Sequence, residues 1–356
     1  MRPFYALTFT AVLFFGLLSA GSVSAQDTRF AQFYTSPTQL NPALIGVFDG
    51  QYRLTANYRS LYSSILGRES FKTMAASAEL RQRVSRSRDY AGFALNFLRD
   101  QVGASEFKQV RASLGASYMK QMGGSGYRSA DQYLVAGAQL GIGQRGYDWG
   151  KLWFTQQFDQ AQAIVNYSAD NGEGFSQNNT GLYVDFNAGI LWYASFEKNM
   201  SIYFGGAIHH LNTPNISFLD QADEKLYSRY TLHAGGELPF TDQLSFLPAV
   251  AFMSQGPSLS TTIGGNFRYT NKDWRELAIR AGVWGHVANK LDKGLEMDAL
   301  IFAAILETGP LNFGLSYDVT TSLLSTANNS RGAFEISLIY TSPPKTKRFA
   351  VACPRL

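Results

Sequence analysis

Charge is scarce in this chain. Asp, Glu, Lys and Arg make up 16% of its 356 residues, where a soluble domain carries about 25%. The 31 basic and 27 acidic side chains nearly balance, so the basic excess that marks nucleic-acid binding is missing. Cysteine is rarer still. The single Cys353 excludes a disulfide scaffold and any Cys-rich zinc or iron–sulfur site. Beyond the N-terminus no stretch reaches the roughly 18 consecutive apolar residues of a membrane helix, and no long segment has a 3.6-residue apolar period. What is plentiful is aromatic side chains (26 Phe, 19 Tyr and 5 Trp) and 33 glycines. That is too apolar for disorder.

The first residues read as a cleavable leader. Arg2 is followed by the apolar run Ala6–Leu18, and Val23-Ser24-Ala25 places small residues where a leader peptidase cuts. The run is short of the roughly 20 residues needed to span a bilayer, and no cysteine follows it for lipid attachment. Residues 1–25 are therefore expected to be a signal peptide removed before Gln26. An exported chain without membrane helices is either soluble or crosses a membrane as strands.

The body of the chain alternates. Leu182, Val184, Phe186, Ala188, Ile190 and Trp192 share one parity, with Asp185 and Asn187 on the other. Leu311, Phe313, Leu315, Tyr317 and Val319 alternate with Asn312, Gly314, Ser316, Asp318 and Thr320; Phe334, Ile336, Leu338 and Tyr340 alternate with Ala333, Glu335, Ser337 and Ile339. Strand side chains point alternately to the two faces, so each segment has an apolar and a mostly polar side. About fourteen such segments centre on 51–60, 71–82, 89–98, 108–119, 131–143, 181–193, 200–211, 228–238, 244–253, 258–269, 274–286, 295–306, 310–320 and 332–342. Each is about as long as a tilted transmembrane strand, and their number is even, as in bacterial single-chain barrels. The expected fold is an all-β outer-membrane antiparallel barrel over residues 51–342, apolar outside. A large soluble sandwich would need a surface richer in Lys and Glu.

Connections fit this reading. Alternate gaps (61–70, 99–107, 144–180, 212–227, 287–294, 321–331) are long, as outer loops are, and most of the others are short periplasmic turns. Gln121–Ala130 is long for a turn, and Ser254–Pro257 is short for an outer loop. Tyr133, Trp192, Tyr193, Tyr317 and Tyr340 lie near strand ends, where an aromatic belt sits. Arg53, Arg59, Glu79, Arg111, Asp185, Glu237, Arg268, Arg280, Glu296, Asp318 and Glu335 fall on the lumen parity, where opposite charges can pair.

Chemical motifs are weak. Gly141-Ile-Gly143-Gln-Arg-Gly146 has dinucleotide-fingerprint spacing but no helix start after it, so it reads as a Gly-rich strand end. His209 and His210 would face opposite sides of a strand and cannot chelate together. No G-x-S-x-G occurs. Neither a catalytic group, a cofactor nor a metal site is expected.

The ends of the mature chain carry the sharpest motifs. Residues 26–50, broken by Pro37 and Pro42, form neither a long helix nor a full strand and read as a periplasmic or plug-like segment. Gln26-Asp27, Phe30-Ala-Gln-Phe-Tyr34, Leu40-Asn41-Pro42-Ala43-Leu44-Ile45-Gly46 and Asn57-Tyr58-Arg59 occur in that order. At the far end stand Ser316-Tyr317-Asp318, Ser322-Leu323, Ala327, Gly332–Leu338 with Glu335, and Cys353-Pro354-Arg355. Both ends resemble the PorP/SprF family of type IX secretion system membrane proteins of the Bacteroidetes. The departure is Ser60-Leu61-Tyr62, where relatives often have a polar pair and Trp.

The resemblance implies a non-enzymatic outer-membrane barrel of the type IX apparatus. It implies a role in export or surface attachment of secreted cargo, such as the large adhesins of gliding bacteria, and contact with periplasmic lipoproteins of the machinery. On that basis the Asn41-Pro42-Ala43 element is expected at the periplasmic mouth or in the lumen. Trp149, Trp153, Phe154 and Phe158 of the large outer loop are candidates for cargo contact. Lys345, Lys347 and Arg348 of the basic tail 343–356 are candidates for a periplasmic partner. The partners are then cargo, periplasmic lipoproteins and outer-membrane lipid, with no nucleic acid. The rival function is a diffusion channel for small solutes; a lipid hydrolase has no residue in its favour.

Overall fold

The computed structural model describes residues 27–84, 88–123, 131–170, 172, 179–196, 200–218, 223–271, 277–290, 294–343 and 353–354. Long strands follow one another from Tyr52 onwards: β1 (Tyr52–Leu61), β2 (Phe71–Arg83), β3 (Tyr90–Val102), β4 (Phe107–Gly123) and β5 (Asp131–Gly146). After a short hairpin, β6 (Phe158–Asp159) with β7 (Ile164–Val165), come β8 (Tyr183–Ser195), β9 (Ser201–His209), β10 (Arg229–Pro239), β11 (Leu244–Gln255) and β12 (Ser258–Thr270). The last are β13 (Leu277–Asn289), β14 (Leu295–Thr308), β15 (Leu311–Thr320) and β16 (Arg331–Thr341). Leaving aside the hairpin, each strand pairs antiparallel with its neighbours in the chain, and β1 pairs with β16 to close a ring of fourteen. Closure leaves no unpaired edge, which is what a lipid environment demands of a sheet. All fourteen expected segments are strands of this ring.

Alternation fixes the two faces. Leu95, Leu114, Leu140, Val184, Phe186, Phe204, Ile263 and Phe302 are exposed on the outside, whereas Arg53, Glu79, Asp185, Asp318 and Glu335 are buried inside. An apolar exterior and a charged interior are the reverse of a water-soluble domain and fit a barrel in lipid. Since β1 starts and β16 ends on the same side, that side is the periplasmic one, and the loops 147–182 and 210–228 lie outside. The short outer connection is a two-residue turn, Gly256-Pro257, with Gly256 at φ +53°. β4 extends to Gly123, which absorbs part of the long gap after it.

Parity also corrects two expectations. Tyr133 and Tyr193 do not join an exterior belt: both are fully buried in the lumen and stack at 5.2 Å. Trp192 and Tyr193 are adjacent on a strand, so only one of them can face lipid. His209 and His210 do not face opposite sides either. β9 ends at His209, and His210 takes a left-handed backbone (φ 57°), which breaks the alternation and leaves both rings buried.

Candidate functional site

Residues 27–50 lie inside the ring. The segment starts beside the outer strand ends, since Asp27 meets Arg111, His210 and Arg229, and the Asp27 N–H donates to Gln255 at 2.8 Å. It ends at the periplasmic end of β1. Too short and proline-broken for ladder pairing, it closes turns on itself, as where the Asn41 N–H donates to Pro37 and the Leu44 N–H to Asn41, and wall side chains meet further backbone groups. Gln139 donates to the Thr38 carbonyl, Arg229 to Gln39, His209 to Leu40, Ser117 to Ile45, and Arg53 to both Leu44 and Val47. The Gly46 N–H donates to Glu79, which also holds Arg53 through two contacts of 2.7 and 2.9 Å.

The sequence motifs meet at two stations. At the first, three residues drawn from opposite ends of the chain form one buried network. Arg59 donates to Asp318 at 2.6 Å and to Glu335 at 3.1 Å. The Glu335 carboxylate then accepts the N–H groups of Ala31 (2.7 Å) and Gln32 (3.0 Å). Phe33 and Tyr34 continue the segment onto Trp284, with ring centroids 5.4 and 5.1 Å away. Tyr58 and Tyr317 lie on the opposite parity, with Tyr317 exposed on the outside. The motif residues thus divide into lumen-facing charge and outward ring.

Asn41, Pro42 and Ala43 form the second station. The Asn41 Oδ1 accepts the Ala43 N–H at 2.8 Å, which identifies its other end as the nitrogen. That nitrogen donates to the carbonyls of Ile190 and Gly206 and to His233 Nε2 at 2.9 Å. The chain can come so close to the wall because five adjacent strands each present an inward glycine. A Cβ on Gly92 would stand 2.6 Å from the Ile45 carbonyl oxygen, and one on Gly205 2.6 Å from His233 Nε2. On Gly115, Gly137 and Gly189 it would overlap Ile45, the Pro42 carbonyl and Asn41. A glycine in a strand interior is the mark of such an approach. These five were not singled out from the sequence, although that mark was there to read.

The Asp27 side chain has no exposed surface. Burial works against its ionisation, but Arg111, His210 and Arg229 outweigh it and hold the carboxyl well below its usual range. Burial likewise works against a charged His210, but Asp27 at 2.6 Å and Asp185 at 2.7 Å push its pKa above the usual value. A raised histidine contributes in full below about pH 6.5 and is lost as pH rises through the higher folded value; a depressed carboxylate contributes above about pH 4 and is lost only in strong acid. Protection of the Asp27–Ala31 amides is therefore expected to be high and constant from pH 5 to 6.5, their exchange rate simply following the base-catalysed rise. At higher pH exchange should quicken beyond the base-catalysed trend. A profile that follows the base-catalysed trend alone up to pH 9 would remove His210 from the anchor.

The segment divides the lumen. An outer chamber of about 350 Å³ is lined by Asp27–Ala31 with Arg59, Asp100, His286 and Asp298. A periplasmic vestibule of about 690 Å³ is lined by Tyr34, Phe48, Arg280, Glu307 and the tail residues Cys353 and Pro354. Cys353 has contacts the sequence did not suggest. Arg81 donates to its sulfur at 3.3 Å, and Tyr193 lies 3.9 Å away. Lys345, Lys347 and Arg348 lie outside the described residues. In the outer loop, Trp149 stacks on Phe154 (5.9 Å) and Trp153 faces Phe158 (6.0 Å), leaving Trp153 and Phe158 exposed. A different trio, Phe107, Tyr147 and Phe218, ties the loop to the rim.

The family profile described as "Type IX secretion system membrane protein PorP/SprF" matches residues 22–340. No curated protein matches the sequence. Solved structures of similar shape include a TodX monoaromatic hydrocarbon channel mutant, 12% identical, covering 84% of this chain and 91% of that one with a TM-score of 0.44. The toluene transporter TbuX of Ralstonia pickettii is 12% identical over 86% and 92%, with a TM-score of 0.45. CdiB from Acinetobacter baumannii is 7% identical over 82% and 60%, also at 0.45.

Proposed function

The chain belongs to the PorP/SprF family of type IX secretion system membrane proteins, and from that premise we propose that it is a plugged anchor rather than an open pore. The observation that carries this reading is the filled lumen. Residues 27–50 occupy it through charged and backbone contacts at every level, from Asp27 at the outer mouth to Val47 near the periplasmic one. A diffusion channel would have to shed that segment each time it conducts. The anchor holds secreted cargo, a large adhesin for example, at the cell surface, and it meets periplasmic lipoproteins of the apparatus through the basic tail. It does so without catalysis or cofactor.

Cargo contact is assigned to the loop aromatics. Trp149, Trp153, Phe154 and Phe158 pair with one another while other rings hold the loop to the rim. Exposed aromatic pairs are the kind of anchor on which interfaces concentrate their energy. Replacing Trp153 and Phe158 together with serine is expected to cut surface display of cargo at least tenfold, with barrel amount and heat-modifiable migration unchanged. Unchanged display would sink the loop assignment. The reading as a whole is tested by affinity purification of the tagged barrel from detergent-solubilised outer membranes of secreting cells, read by mass spectrometry. Recovery of type IX components or one large secreted protein supports the anchor. Recovery of the barrel alone overturns it in favour of a channel.

A further inference from the structure

The outer chamber holds more negative charge than its cations answer. It spans the wall from β12 through the β16–β1 seam to β3, against Asp27–Ala31 of the luminal segment. Asp100, Thr73, Arg59 and Glu335 stand opposite one another on β3, β2, β1 and β16, on strands about 4.8 Å apart. The one guanidinium of Arg59 serves two carboxylates, Asp318 and Glu335. Arg29 goes to Asp298 at 3.5 Å, and Arg111 to Asp27. Asp100 is left over. It is only 6% exposed and accepts the Thr73 hydroxyl at 2.7 Å, but among the described residues it enters no ion pair. A buried carboxylate is costly unless a positive group meets it.

Other lining groups also lack a partner. Asp318 Oδ1, His286 Nε2 and the Thr28 hydroxyl are buried without a hydrogen bond, and Asp318 and His286 are each 4% exposed. A His286 whose Nδ1–H donates to the Thr262 hydroxyl at 3.0 Å presents Nε2 as an acceptor. The missing group is therefore positive and carries several N–H donors. Tyr62 and Phe71, edge to face at 6.2 Å, add aromatic surface to the lining, and aromatic faces attract organic cations. A bare metal ion fits less well, since among the described residues no three His, Cys, Asp or Glu converge as ligands. We propose that the chamber binds an organic cation, an ammonium or guanidinium group entering from the extracellular side. Asp100 is its ionic partner, and Asp318, His286 and Thr28 accept its N–H groups. A volume of about 350 Å³ suits an amino-acid-sized molecule or one basic side chain, and the partly exposed Arg29 and Asp298 mark the way in. The proposal does not need the cargo assignment.

The test is calorimetric titration of the whole barrel, purified from outer membranes in detergent. The probes are L-lysine, the blocked tripeptide acetyl-Gly-Lys-Gly-amide, the norleucine counterpart of each, and L-glutamate. At least one lysine probe is expected to bind tenfold or more tighter than its norleucine counterpart, and glutamate not to bind. Asp100→Asn can still accept the Thr73 hydroxyl and should weaken lysine binding at least tenfold, with heat-modifiable migration unchanged. Ala299→Leu narrows the chamber from β14 without touching an ion pair and should abolish binding; it carries the test should the Asp100 variant fail to assemble. A blocked peptide that binds as well as free lysine assigns the chamber to a basic side chain on another protein. Binding of free lysine alone assigns it to a free solute. Lysine probes that bind no tighter than their norleucine counterparts, or lysine binding that neither substitution weakens, overturn the proposal. No probe is cargo, so the anchor reading can fail while this one stands.

Discussion

Replacing Glu335 with alanine is expected to free the outer half of the luminal segment while leaving the barrel intact. Glu335 is fully buried and serves three partners at once: Arg59 and the N–H groups of Ala31 and Gln32. Its removal leaves Arg59 with Asp318 alone. Breaking a buried pair by deleting one partner costs about 3–5 kcal/mol, and each stranded N–H adds about 1–3 kcal/mol. The ladder that closes the ring lies in the backbone of β1 and β16 and does not use the carboxylate. The cost therefore falls on seating of the segment. Trypsin added to intact cells should then cut at Arg29 at least tenfold faster, and purified protein in planar bilayers should show open steps that the parent lacks. Glu335→Gln keeps one acceptor and should show a smaller effect of the same sign. A Glu335→Ala barrel that stays silent and resistant would mean the network does not hold the segment.

Much of this architecture was legible because a membrane barrel obeys one simple period. Leu311–Thr320 and Gly332–Thr341 announce their inner and outer faces residue by residue, and the same alternation located all fourteen strands. The period fails at ends and partners. β3 runs on through Arg99, Asp100 and Gln101, since polar residues near the outer rim need no apolar partner and so look like loop. Arg59 and Asp318 are 259 positions apart, and Arg59 and Glu335 are 276 apart. Parity places each in the lumen, but only ring closure through β1 and β16 makes them neighbours. His210 eluded the alternation because a left-handed backbone carries no sequence mark of its own outside Gly, Asn and Asp. The segment 27–50 was readable as motif and as proline-broken chain, but its direction was not. That is set by where its wall partners stand, and no local preference encodes it.

Gly137→Val should have the largest effect on the lower half of the segment, for a complementary reason. Gly137 faces inward on β5, where a Cβ would overlap the Pro42 carbonyl group and the Ala43 nitrogen. These are backbone atoms of a turn pinned by Asn41, so no side chain can swing away to make room. The strand itself gains, since a β-branched residue suits an extended backbone better than glycine. Stability of the ring and seating of the segment are thus driven in opposite directions by one substitution. The barrel is expected to assemble and migrate as the parent does, while the 41–46 turn leaves its cradle and the Asn41–His233 contact is lost. Conductance should rise from silence to steady openings. Proteolysis from the periplasmic side should reach Phe48, which is buried in the parent. Gly137→Ala is the milder form and should lie between the two. A Gly137→Val barrel that remains closed would show that the wall, not the segment, blocks the lumen, and the anchor would then have to be explained without a plug.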